Sequence, residues 1–157
     1  MIPRKDLKRI LIKNDTFLMN LKPYSAFVLA LAGFLLAVMG MYFIFLRPIL
    51  LPEDLNYMDS TLEKVKKDIP GLLNWLPKVF SVMGGYIFTS GLLTVFISFT
   101  TFRSRTHGAF SIVALAGISS IGLMTVVNFM IGSDFKWLLF SFMLLWVSAL
   151  VLYLLRQ

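Results

Sequence analysis

Residues 24–46 read YSAFVLALAGFLLAVMGMYFIFL, without a single charged side chain. As a helix, about 23 residues reach about 35 Å, enough to cross a ~30 Å hydrocarbon core. The run is continuous rather than alternating. Inside a bilayer every backbone N–H and C=O must be paired within the protein, so this pattern predicts a membrane-spanning helix and not a barrel strand. The run is too long for the apolar core of a signal peptide. Leu46-Arg47-Pro48 after it is no small-residue cleavage site, so the helix is expected to be retained.

Three more apolar runs follow, at residues 79–102, 108–132 and 137–155. Composition agrees with them. Apolar residues make up 58% of the 157 and charged residues 15%, and a chain this short cannot hide so much apolar surface from water. The expected fold is all-α, an integral membrane four-helix bundle. The second and third runs are joined by residues 103–107, and the third and fourth by residues 133–136. Connections this short make neighbouring helices antiparallel.

Charge then orients the bundle. If residues 1–23, the 103–107 turn and the C-terminus share one side, that side holds nine Lys and Arg against two acids, Asp6 and Asp15. The opposite side holds six of each sign. Lys and Arg mark the cytoplasmic face, so both termini are expected there. Basic flanks of this simple kind in a cysteine-free chain point to a bacterial inner (cell) membrane. In residues 1–23, Leu7, Ile10, Leu11, Phe17, Leu18 and Leu21 alternate with cations, which reads as a basic amphipathic segment on anionic lipid. No nucleic-acid-binding pattern accompanies the net charge of +7, and no nucleic acid partner is expected.

Residues 47–78 form the one long connection. Leu55, Met58, Leu62, Val65 and Ile69 recur at spacings of 3, 4, 3 and 4, one apolar stripe on a helix. Pro52 suits a first helical position, Glu53 and Asp54 suit the positive end of the helix dipole, and Lys66 and Lys67 suit the other. Ser60-Thr61-Leu62-Glu63 also reads as a capping box, which would divide the segment into two helices. Pro70-Gly71 is expected to end it, and Leu72, Leu73, Trp75 and Leu76 make a second apolar patch. Residues 52–76 therefore read as an amphipathic helical hairpin on the outer side, between the first and second spans.

Helices associate in lipid by close packing. Ala26, Ala30, Gly33, Ala37 and Gly40 share one face of the first span, the second offers Gly84 and the third Gly117. These are the expected helix-packing residues, with the first three spans as the tight core. The fourth, rich in Leu, Phe, Met and Trp, is expected to be peripheral or to serve as a partner face.

Signs of chemistry are sparse. The four runs contain no Asp, Glu, Lys, Arg or His, the residues that mark proton relays and ion paths. Absent cysteine and a single histidine, His107, exclude thiolate sites and a histidine cluster for a metal. Neither a Gly-x-Ser-x-Gly elbow nor a phosphate loop is present. No catalytic, cofactor-binding or metal-ligating residue is expected, no cofactor, and no enzymatic activity. Should there be one, Glu53, Asp54, Tyr57, Asn128 and His107 are the residues to change first.

The candidate ligand or partner contacts are Glu53, Asp54, Tyr57 and Asn128. Adjacent helical residues do not face each other, so Glu53 and Asp54 read first as dipole-matched helix starters. Asn128, the most polar group within a span, reads first as a hydrogen-bonding link between helices and second as a ligand contact. The Asn14-Asp15-Thr16 glycosylation sequon would be silent on a cytoplasmic segment.

Four spans with a long first outer connection resemble the layout of claudins and tetraspanins. The resemblance is one of layout alone, because the cysteines and the Trp…Gly-Leu-Trp…Cys…Cys pattern are absent. The leading functional expectation is a small non-enzymatic accessory or scaffold subunit, working through membrane lipids, as a homo-oligomer or on a membrane protein partner. The alternative is a binder or carrier of a small apolar molecule or lipid, held between the bundle and the outer amphipathic segment.

Overall fold

A computed structural model describes residues 22–155, so the basic N-terminal segment lies outside the described residues except for its last two positions, as does the sequon. Six helices follow in order: α1 (Lys22–Phe45), α2 (Pro52–Tyr57), α3 (Leu62–Asp68), α4 (Pro70–Phe102), α5 (Ala109–Ile131) and α6 (Lys136–Leu154). The last turn of α4, Ser98–Phe102, and the middle of α5, Ile118–Gly122, are π-helical. Among the described residues all regular structure is helical, and α1, α4, α5 and α6 are each long and apolar enough to cross a membrane. Large side chains such as Phe34, Phe96, Leu115 and Ile118 stand exposed on the outside of the bundle, as a lipid-facing surface requires.

The four long helices are arranged as two pairs. In the first, α1 and α4 run antiparallel along most of their common length. A Cβ added at Gly40 would strike the backbone of Phe88, and one at Gly91 the backbone of Ala37. Gly33 faces Thr94 and Gly91 in the same way, and Gly84 faces Gly40. The small-residue face of α1 thus brings the two backbones into direct contact, which is how helices associate where no hydrophobic driving force separates them from lipid.

In the second pair, α5 lies on α6. Here a small face receives a large ring: the Trp146 indole sits against Gly117, and its Nε1 donates to the Val113 carbonyl at 3.0 Å. The pairs meet where α1 crosses α6, around a core that includes Leu29, Ala32, Leu36, Leu139, Trp146, Ala149 and Tyr153. At the end near the 103–108 turn, the Arg105 guanidinium stacks on the Tyr153 ring and donates to the Tyr153 carbonyl at 2.9 Å.

Two expectations are corrected. The fourth span is not peripheral: Leu139, Trp146, Ala149 and Tyr153 of α6 are all buried, and α6 is the helix that joins α5 to α1. A helix poor in small residues can still be central when its bulky side chains fill the grooves that small residues leave on its neighbours. The helix that carries the second apolar run does not begin at residue 79. Leu72, Leu73, Trp75 and Leu76 belong to the first turns of α4, which starts at Pro70 and runs through Pro77. Pro70 begins the helix because a first-turn proline gives up no helical hydrogen bond. Pro77 costs only the bond to the Leu73 carbonyl, near a water-facing end.

The remaining connection divides in two. Asp59 adopts a left-handed φ of 47° between α2 and α3, and Thr61 caps α3 by accepting from the Lys64 N–H at 3.3 Å. This cap sits one residue later than a capping box on Ser60 would place it. The break rotates the two helices apart, so of the expected apolar stripe only Val65 is buried, while Met58, Leu62 and Ile69 are exposed.

Candidate functional site

The pairwise arrangement leaves a gap. α4 and α5 are in close contact only near the turn that joins them, and they diverge towards the other end. Between them lies a cleft of about 660 Å³, within the size range of small-molecule sites. Its floor is formed by Leu36, Met39 and Phe43 of α1 with Leu139 and Phe142 of α6. One wall is Met83, Tyr86, Ile87 and Ser90 of α4, and the other is Ser119, Ser120, Leu123, Met124, Val127, Asn128 and Ile131 of α5. From Ile131 down to Ser119 the cleft follows α5 for about 18 Å, slightly more than one leaflet of the hydrocarbon core.

The upper end is built differently. Gly132, with φ of 74°, ends α5 and turns the chain so that Ser133 points back under α2. On the other side α1 ends at Phe45, and Arg47 folds over its last turn. The Arg47 guanidinium lies 3.7 Å from the centre of the Phe80 ring and 5.5 Å from that of Phe43, donates to the Pro48 carbonyl at 3.2 Å, and forms an ion pair with Asp54 at 3.1 Å. The same Asp54 oxygen accepts from the Leu51 N–H at 2.9 Å and so caps α2 from within its first turn.

Glu53, 9% exposed, turns the opposite way from Asp54. One of its oxygens accepts from the Ser133 hydroxyl at 3.1 Å, and the Ser133 oxygen accepts from the Phe135 N–H at 3.1 Å. A carboxyl group is thereby held beside the apolar cleft, which a short helix could not do without these partners. The two neighbouring acids do different jobs because helical geometry points them apart: Asp54 ties α2 to α1, and Glu53 ties it to the α5–α6 turn.

Of the residues singled out by sequence, Glu53, Asp54 and Asn128 come together around this one cleft. Tyr57 does not; it is 65% exposed at the end of α2. Asn128 makes no interhelical link among the described residues. Its Nδ2 donates to the Met124 carbonyl of its own helix at 2.8 Å, which leaves its amide on the cleft wall. His107 lies in the exposed turn between α4 and α5, at the other end of the bundle from Glu53. No group of three or more His, Asp or Glu residues among those described could hold a metal ion. Ala26, Ala30, Ala37, Gly33, Gly40, Gly84 and Gly117 are all placed between helices of the same chain.

Sequence reasoning missed Arg47 and Ser133. Arg47 counted only as one charge in a topology sum, and Ser133 as one residue of a short connection. A signal for Arg47 existed: a lone cation directly after a span, with carboxylates six and seven residues later, is placed to fold back onto the first turn of a following helix. Nothing local marks Ser133, whose partner is 80 residues away. Comparison with protein-family models, with curated proteins and with solved structures gives no match to this chain, so the cleft itself is the guide to function.

Proposed function

We propose that the chain binds a membrane amphiphile in the cleft between α4 and α5, with the tails against the apolar floor and the polar head at the Arg47–Glu53–Ser133 end. The observation that carries this reading is the asymmetry of the cleft. It is apolar over the depth of a leaflet, polar at one end, and open along one side, where Tyr86 and Leu123 are exposed on opposite rims. A lipid dissolved in the bilayer has that shape and polarity. The scaffold expectation drew on the sparse chemistry, the outer amphipathic segment and the small-residue faces, and of those faces Gly33, Gly40, Gly84, Gly91 and Gly117 pack within the chain.

The orientation belongs to the same proposal. With the basic termini on the cytoplasmic side, the polar end of the cleft opens into the outer leaflet of a cell membrane, of the bacterial inner type to which the simple basic flanks point. A cysteine placed at Lys64 on the exposed face of α3 should then react with a membrane-impermeant thiol reagent added outside intact cells. Labelling only after permeabilisation would invert the orientation.

Lipid binding itself is tested by native mass spectrometry of the full chain released from gentle detergent. The expected result is one retained lipid per chain, lost in Met124→Trp, which places a large ring in the middle of the cleft wall. A chain without retained lipid, or a Met124→Trp variant that keeps it, would overturn the reading.

A further inference from the structure

The polar end of the cleft has a definite hydrogen-bonding imbalance, and this bears on which lipid it takes. Asp54 is occupied by Arg47 and by the Leu51 N–H. The Ser133 proton goes to Glu53, and the Ser133 oxygen accepts from Phe135. Two acceptors on the cleft lining remain with no partner among the described residues: the second carboxylate oxygen of Glu53, on a side chain nine-tenths buried, and the Asn128 Oδ1. Arg47 uses two of its five N–H donors in these contacts, so it keeps donors for a ligand. The end of the cleft carries one formal positive charge, Arg47, and two negative ones, Glu53 and Asp54.

A head that fits must donate hydrogen bonds and bring positive charge to Glu53, and it can offer an anionic oxygen to Arg47. We infer that the cleft selects a phospholipid with a primary ammonium head, of the phosphatidylethanolamine kind: the ammonium donates to Glu53 beside Ser133, and the phosphate accepts from Arg47. This rests on the amphiphile-binding reading of the same cleft. A choline head has the charge but no N–H to donate. A glycerol head has donors but brings no positive charge to Glu53, so it adds its phosphate charge to an end of the cleft that is already net negative. The distinction is one charge-assisted hydrogen bond, the stronger kind.

The test offers the full chain an equimolar mixture of phosphatidylethanolamine, phosphatidylcholine and phosphatidylglycerol with identical acyl chains, read by native mass spectrometry. Phosphatidylethanolamine adducts should exceed each of the others about tenfold, the size of one charge-assisted hydrogen bond. Glu53→Gln should erase the preference over phosphatidylcholine. Equal binding of the three lipids by the unaltered chain, or a preference that survives in Glu53→Gln, would overturn the head-group assignment alone. Loss of the cleft as a lipid site would show differently, as lipid binding that Met124→Trp leaves intact. Should Glu53→Gln fail to fold, the unaltered chain supplies the answer through mono- and dimethylated phosphatidylethanolamine. Affinity should fall as methyl groups replace N–H donors, and a flat series counts against the assignment.

Discussion

Arg47 and Asp54 form the ion pair of the described residues, with side chains 10% and 22% exposed. An ion pair that far from water is costly to break, because removing one partner strands the other charge. Arg47→Ala and Asp54→Ala should therefore each lower stability by about 3 kcal/mol, measured as unfolding of the purified chain by added denaturing detergent. The double variant should lose clearly less than the two single losses added together, since it leaves no orphaned charge. Additive losses would mean that the pair is screened by water and does not hold α2 to α1. Arg47→Lys is a separate case: it keeps the charge and forfeits the stacked guanidinium on Phe80, so it should fall between the unaltered chain and Arg47→Ala. At this scale the sequence was only partly informative. Glu53, Asp54 and Asn128 stand out as polar groups where few are expected, and all three line the cleft. That Glu53 finds Ser133 and that Asn128 bonds within its own helix depend on contacts no local pattern encodes.

Among the elements, the α1–α4 pair shows how helix contact was legible and helix extent was not. The spacing of Ala26, Ala30, Gly33, Ala37 and Gly40 identifies one face of α1, and that face is where α4 and the core approach. What lies opposite depends on close complementarity, and glycines that look alike in sequence differ sharply. A Cβ at Gly91 would come within 2.4 Å of the Ala37 nitrogen, whereas a Cβ added at Gly85 of the same helix would meet no atom of another helix within 4 Å. Gly91→Ala should thus force the backbones apart at a cost of about 2–3 kcal/mol. Gly85→Ala should be stabilising by up to about 1 kcal/mol, because it removes backbone freedom from the unfolded chain and meets nothing in the folded one. Thermal unfolding of both variants in the same detergent checks the pair, and equal effects would contradict the backbone contact. The start of α4 was misread for a related reason. Pro70-Gly71 is a stop signal in one register and a start signal in another, and only the helix that follows distinguishes them.

At the level of the whole molecule, the cleft is a consequence of how four helices were shared between two interfaces. Small faces close α1 on α4, the Trp146–Gly117 fit closes α5 on α6, and α1 against α6 joins the pairs. α4 and α5 are in close contact only near their common turn and diverge beyond it, with Ser90, Ser119 and Ser120 facing the gap, and α2 covers the top of the wedge through Glu53 and Ser133. Composition identified a four-helix membrane protein; the gap was invisible because it follows from which pairs win, not from any one helix. If a lipid enters sideways from the bilayer, the passage is the line between Tyr86 and Leu123. The chain contains no cysteine, so Tyr86→Cys and Leu123→Cys can be introduced together without background and bridged with a bis-maleimide. Bridging after loading should trap the bound lipid, so that isotopically labelled lipid added later does not replace it. Bridging before loading should block uptake, and each single-cysteine variant treated with the same reagent should still exchange. Undiminished exchange in the bridged chain would place the entrance at the polar end, beneath α2, and would make the Glu53–Ser133 contact, rather than the separation of α4 from α5, the part that must open.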